Sequence, residues 1–291
     1  MWSDEVVRVP RRVWVALTLG ATALLGASCR PSKSERSAPR IEPGVHLEQA
    51  VPSAAAGASE HGAELAPLSN AEWLERLALP DGESAVVAVP LGARQARPMV
   101  VGVHGARDRP EWSCGGWRLA MKAFAFVICP QGKAVSEGAF GWPNSASIER
   151  SVLRAIDAVR ARFGVYVAPG PATYAGFSQG AILAEAVLRR HASLFPRAIF
   201  AEGGYGTLAS AQFAREYRAN GGHTLIIVCG TPGCRAQTAP LRGRLQDAGL
   251  NVYEGGDLRS GHNLNQLMQL SLERDWPRWI AADPAWARYV P

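Results

Sequence analysis

The sequence predicts an α/β fold: one domain over residues 69–291, built on a mostly parallel sheet with helices on both faces. Three observations predict it. Short segments that are almost wholly apolar recur along the chain. Amphipathic segments, long enough for two or more helical turns, separate them. The 291 residues are 47% hydrophobic and 19% charged, which suits one large domain with a full core. Strands that are apolar on both faces need cover on both sides, and parallel neighbours need crossovers, which helices supply.

Taken in order, residues 69–79 ("SNAEWLERLAL") read as a helix, with Ser69 or Asn70 as cap and Trp73, Leu74 and Leu77 on one face. Strands are expected at 85–89, 99–104, 124–129, 172–176, 198–201, 225–229 and 252–254. Helices are expected at 147–163, 179–191, 208–220, 236–248 and 264–281. No internal repeat is visible.

Ahead of the domain, residues 1–28 read as a secretory signal, with a basic start, an apolar run over 13–25 and small residues before Cys29. The run is short of the ~20 residues a membrane helix needs. The Gly-Ala-Ser-Cys ending resembles a bacterial lipobox, which would make Cys29 the lipidated first residue of the mature chain. Gly26 stands where that pattern has leucine, so plain cleavage near Ala27 is the alternative. Export to a bacterial periplasm or cell envelope is expected either way, with any membrane attachment through the lipid alone. Residues 29–68, rich in Pro, Ala, Ser, Gly and Glu, read as a flexible linker.

The net charge of +6 is uneven: residues 1–40 carry +4 and the remainder +2. The near balance of the folded part gives no support for a nucleic-acid face. Beyond Cys29 there are four cysteines, Cys114, Cys129, Cys229 and Cys234. An even number in an exported chain points to disulfides. Three connectivities are open, of which proximity favours Cys114–Cys129 and Cys229–Cys234; four buried thiols are the alternative.

The chemistry concentrates in "TYAGFSQGAILAEAVL" (173–188). Gly176-Phe177-Ser178-Gln179-Gly180 is a G-x-S-x-G sequence between a strand and a helix, the setting of a nucleophile elbow. Cβ atoms two residues either side of the serine would clash in so sharp a turn, and glycine removes them. The turn raises the Ser178 hydroxyl above the sheet and aims the Gln179 backbone N–H at a developing oxyanion. Upstream, "PMVVGVHGARD" is a strand ending in His104-Gly105, and the backbone N–H of Ala106 is the natural second donor. His104 is expected to pack and orient that loop.

From about Leu79 onward the chain resembles the α/β-hydrolase superfamily. "GFSQG", the His-Gly loop and a late histidine are similar to the phospholipase/carboxylesterase branch. That resemblance implies a Ser–acid–His order in sequence, carboxylic ester (or thioester) hydrolysis through an acyl-enzyme, and no metal or organic cofactor. It implies a small-molecule or lipid-like ester as substrate. After Ser178 come His191, His223 and His262. His262, in the Ser-Gly-His loop after the last strand, stands where the superfamily keeps its general base.

The acid departs from the pattern. It usually follows the strand "LIIVCG" in a Gly-x-x-Asp turn, but here "CGTPGCR" has Gly233 at that position, flanked by Cys229 and Cys234. Some members carry the acid one strand earlier, where "RAIFAEGGYG" offers Glu202. Asp257 is the rival, and no protein acid at all is the third possibility. Trp112, Trp117, Phe140, Trp142 and Tyr205 are expected as pocket or anchor residues, and Asp108 and Glu111 as structural partners of Arg107 or Arg109. Two other functions stay open: a hydrolase-like envelope protein that binds a ligand without efficient catalysis, and a peptidase or amidase on the same fold.

Overall fold

A computed structural model describes residues 64–290. The signal segment over 1–28, Cys29 and most of the linker fall outside the described residues. Residues 64–68, assigned to the linker, lie against the domain: the N–H groups of Leu65 and Leu68 donate to the carbonyls of Arg94 and Ala93, and Leu68 is buried.

The strands are β1 (Leu74–Ala78), β2 (Ser84–Ala88), β3 (Met99–Val103), β4 (Phe126–Pro130), β5 (Lys133–Ser136), β6 (Ala139–Gly141), β7 (Thr173–Phe177), β8 (Arg197–Ala201), β9 (Thr224–Val228) and β10 (Asn251–Gly255). The helices are α1 (Pro110–Ala120), α2 (Ser145–Phe163), α3 (Gln179–Ile182), α4 (Glu185–Arg190), α5 (Tyr205–Ala209), α6 (Ala211–Ala219), α7 (Pro232–Thr238), α8 (Arg242–Asp247) and α9 (Gln266–Ile280).

Eight strands form one sheet in the order β1-β2-β4-β3-β7-β8-β9-β10, while β5 and β6 form a separate hairpin. Every neighbouring pair from β4 to β10 is parallel, and β2 is antiparallel to both β1 and β4. The pleat divides the core in two. Val101, Tyr174, Phe200 and Ile227 face the side covered by α2, α4, α6 and α8. Val100, Ala175, Ile199 and Ile226 face the side covered by α1 and α9, where Trp117, Trp276 and Trp279 fill the layer. The mostly parallel sheet with helices on both faces is the architecture the apolar periodicity predicts.

Four local expectations need correction. Residues 74–78 are a strand, not part of a helix: the Asp81-Gly82 turn, with φ of 60° and 71°, folds them back so that Leu77 pairs with Ala85. The helix expected at 179–191 breaks between Ile182 and Glu185, and those at 208–220 and 236–248 also divide in two. Helix α1 and the β5–β6 hairpin were not anticipated; Gly115 and Gly116 weaken the helical signal of one, and the other lacks an apolar run. Glu111 pairs with Arg76, not with Arg107 or Arg109. Among the described residues, no helix is long and apolar enough to cross a membrane.

The cysteines pair as proximity favoured. Cys114 and Cys129 have Cα atoms 5.8 Å apart, and Cys229 and Cys234 have theirs 5.5 Å apart. The first bridge ties α1 to β4 inside the core, and the second spans the turn between β9 and α7.

Candidate active site

The site forms where β3, β7, β8 and β9 end. Strand β7 stops at Phe177, and Ser178 holds φ 49° and ψ −113° before α3 begins. Such a backbone costs ~1–3 kcal/mol in a non-glycine residue and survives only where its surroundings enforce it. A Cβ on Gly176 would lie 2.7 Å from the Gly180 carbonyl oxygen, and one on Gly180 would strike the Val103 carbonyl. Just past the end of β8, a Cβ on Gly203 would lie 2.6 Å from the carbonyl oxygen of Ser178. Three glycines thus let the backbone close around the serine, two of them as the G-x-S-x-G spacing predicts.

Strand β8 presents the acid in a comparable way. Glu202 follows it with φ 49°, is 3% exposed, and donates its N–H to the Val228 carbonyl at 3.0 Å. Its Oε1 accepts from the N–H groups of Gly230 (2.5 Å) and Thr231 (2.9 Å). The Thr231 hydroxyl lies 3.3 Å and 3.2 Å from its two oxygens. A buried carboxylate needs this number of partners.

His262 completes the group. Its Nε2 lies 2.9 Å from Ser178 Oγ and its Nδ1 lies 3.1 Å from Glu202 Oε2. Its ring also packs on Phe177, with centroids 5.1 Å apart. Asn265 fixes the histidine loop, donating from Nδ2 to the Ser260 carbonyl at 2.9 Å and capping α9 through Oδ1. Of the sequence candidates, Ser178, Glu202 and His262 therefore come together. Asp257 does not join them. Both its oxygens bind Arg259, and that guanidinium holds its carboxyl down at about 2.

The order serine, histidine, carboxylate by hydrogen bond is the geometry in which an imidazole can take a hydroxyl proton while the carboxylate fixes its orientation. The two sequence-predicted oxyanion donors flank the serine. A Cβ on Gly105 would touch Ser178 Cβ at 3.2 Å, which puts the His-Gly turn against the elbow. Ala106 lines the same cleft as Ser178, and Gln179 opens α3. Among the described residues, no backbone carbonyl accepts from either N–H.

Sequence reasoning missed how this loop is held. The Gln179 side chain pairs with the Trp142 backbone in both directions, Oε1 accepting and Nε2 donating at 3.0 Å each. Phe140, just before it, pairs with Asp108 by reciprocal backbone bonds of 2.9 and 3.1 Å. The β5–β6 hairpin thus bridges the residue after the serine to the loop that carries Ala106. His104 acts as an anchor: it is buried, its ring nitrogens face the Gly105 and Gln131 carbonyls, and its own carbonyl accepts from Trp142 Nε1 at 3.1 Å. The glutamine of "GFSQG" was the available signal, but its partner is remote in sequence.

The cleft beside Ser178 measures about 380 Å³, and Ala106, Arg107, Trp112, His262 and Leu264 are among its lining residues. Of the five predicted aromatics, Trp112 alone lines it. Trp117 and Trp142 are buried anchors, Phe140 lies in the hairpin, and Tyr205 opens α5. Burial, and then the Glu202 charge, raise the Tyr205 phenol. Among the described residues, Glu202, Cys229 and Cys234 form a cluster of potential metal ligands within 4.8 Å of one another. The two sulfurs are bonded together and offer no thiolate.

No protein-family model matches the chain, and no curated protein matches it. Solved structures do. The chain is similar to an esterase of Pyrococcus furiosus, at 11% identity and a TM-score of 0.52, over 75% of this chain and 97% of the other. It is similar to a ferulic acid esterase at 12% identity and a TM-score of 0.50, over 70% and 96%. It spans 54% of the length of a thermostable esterase, at 18% identity and a TM-score of 0.44. The strand order, the single antiparallel β2 and the likeness to the first two structures lead to one conclusion: this chain has the α/β-hydrolase fold.

Proposed function

We propose that the chain is an exported serine hydrolase of carboxylesterase type, which cleaves carboxylic ester (or thioester) bonds through a Ser178–His262–Glu202 relay. One observation carries this reading: the unbroken hydrogen-bonded order from Ser178 Oγ through the His262 ring to Glu202 Oε2. His262 Nε2 takes the hydroxyl proton as Oγ attacks the carbonyl carbon. The oxyanion meets the Ala106 and Gln179 N–H groups. The tetrahedral intermediate then collapses, the bond to the alcohol or thiol breaks, and His262 returns the proton to that leaving group. Water, deprotonated by the same imidazole, attacks the acyl-serine; the bond to Ser178 Oγ breaks, His262 returns the proton to Oγ, and the acid is released. Glu202 keeps Nδ1 protonated, so that Nε2 is free to accept each proton, and stabilises the imidazolium that then forms.

The cleft volume and its Trp112 and Leu264 walls favour a small acyl or aryl ester. The alternative of a hydrolase-like binding protein rested on the absent Gly-x-x-Asp acid, and Glu202 supplies a carboxylate in its place. Two disulfides favour an oxidising compartment and so export; lipidation at Cys29 remains part of the proposal on sequence grounds. A panel of p-nitrophenyl esters tests the activity. Wild type is expected to turn over short-chain members, and Ser178→Ala to lose about 10⁴-fold or more in kcat. Turnover that survives Ser178→Ala overturns the reading.

A further inference from the structure

We propose that the disulfide-closed turn from Cys229 to Cys234 is a positioning element for Glu202 and, through it, for His262. The inference rests on the hydrolase reading above. Among the described residues, every group besides His262 that hydrogen-bonds the Glu202 carboxylate belongs to this turn: the Gly230 N–H, the Thr231 N–H and the Thr231 hydroxyl. The opposite side of the turn holds the histidine loop, since the Gly230 carbonyl accepts from the Gly261 N–H at 3.0 Å. A Cβ on Gly230 would strike the Gly261 carbonyl, so the two loops run in direct backbone contact. One short ring therefore fixes the carboxylate and the loop of the base it faces.

The bridge is what closes that ring. Cys229 directly follows β9, and Cys234 lies in the first turn of α7. The Cys234 N–H donates to the Thr231 hydroxyl at 3.1 Å, tying the group that faces Glu202 to a bridging residue. Glu202 needs such support, because its φ of 49° leaves the backbone strained and its carboxylate is buried. Both cysteines are buried as well, so the link is shielded from solvent reagents. The place that usually carries the acid in this fold has thus become the scaffold for an acid on the neighbouring strand. Cys114–Cys129 differs: it joins α1 to β4 within the core, and the hydrogen-bond partners of Cys114 Sγ are the carbonyls of Val86 and Val127.

A double-mutant cycle separates positioning from plain stabilisation. Cys229→Ala/Cys234→Ala is assayed well below its melting temperature, beside wild type, Glu202→Ala and the combined variant. A misplacement of about 1 Å can cost ~100-fold, so a kcat loss of about tenfold or more is expected, with KM within about twofold. In the Glu202→Ala background the same removal is expected to change kcat less than about threefold, because the group it positions is gone. Cys114→Ala/Cys129→Ala is the control, with a lowered melting temperature and kcat within about twofold. If the bridge-less protein does not fold, Thr231→Val decides, since it keeps the bridge and should still lower kcat severalfold at constant KM. An unchanged kcat in the variant assayed, or an equal loss in both backgrounds, overturns the inference. If wild type shows no turnover, the hydrolase reading fails by itself. Amide exchange at Gly230 and Thr231 then tests the turn: faster exchange without the bridge supports it, and unchanged exchange contradicts it.

Discussion

Two turns at the carboxyl edge of the sheet each carry an acidic residue, and they are built in opposite ways. After β8, Glu202 is buried, strained at φ 49°, and bound by two backbone N–H groups, a hydroxyl and His262. After β10, Asp257 is half-buried and spends both oxygens on Arg259, two residues along the same turn. The first is enforced by contacts remote in sequence, and the second is satisfied locally. A carboxylate that serves a distant histidine must be denied easier partners, and among the described residues no arginine or lysine pairs with Glu202.

The comparison can be broken at several points. Glu202→Gln keeps the shape but removes the charge that fixes the imidazole, and kcat is expected to fall by about 10²–10⁴ in ester hydrolysis. Full activity in this variant would move the acid elsewhere. If Asp257 can stand in, freeing it should help. Arg259→Gln in the Glu202→Gln background is instead expected to restore less than about twofold, because a carboxylate satisfied within its own turn is not aimed at the imidazole. Recovery of tenfold or more would make Asp257 a competent substitute. Asp257→Asn alone should leave kcat/KM within about twofold of wild type, as befits a side chain outside the relay.

Acid titration sharpens the contrast further. Arg259 lowers the Asp257 carboxyl from its ordinary 3.8 to about 2 in the folded state. A depressed carboxylate contributes stability above its unfolded value, and that contribution disappears as pH falls through the folded one. The melting-temperature gap between wild type and Asp257→Asn is therefore expected to be constant from about pH 5 to 8, then to close from about pH 4 toward pH 2. A gap that closes near neutrality would contradict the Arg259 pairing.

Much of this was legible in the sequence because backbone sterics leave signatures. Gly176 and Gly180 announce the elbow at Ser178, and near-continuous apolar runs announce a doubly covered sheet. His262 is one of three histidines after Ser178, and the α/β-hydrolase resemblance singles it out by its loop after the last strand. Glu202 was legible as a charge at a strand end where some α/β hydrolases carry the acid, but its partners at 230, 231 and 262 are remote in sequence. The role of Gln179 was hidden for the same reason: its side chain pairs with Trp142, and nothing local marks the β5–β6 hairpin as the support of the Ala106 loop. Residues 74–78 misled because Trp73, Leu74 and Leu77 fit a helical face as well as they fit an edge strand, and pairing with β2 decided the outcome.

The central claim is that Ser178 is an activated nucleophile, and covalent labelling tests it most directly. The full-length protein would be treated with a fluorophosphonate and the modified peptide mapped by mass spectrometry, beside Ser178→Ala and His262→Ala. The account predicts stoichiometric modification of Ser178 in wild type, none in Ser178→Ala and a rate slower by about 10³-fold or more in His262→Ala. An unlabelled wild-type serine, or equal labelling without His262, would contradict it.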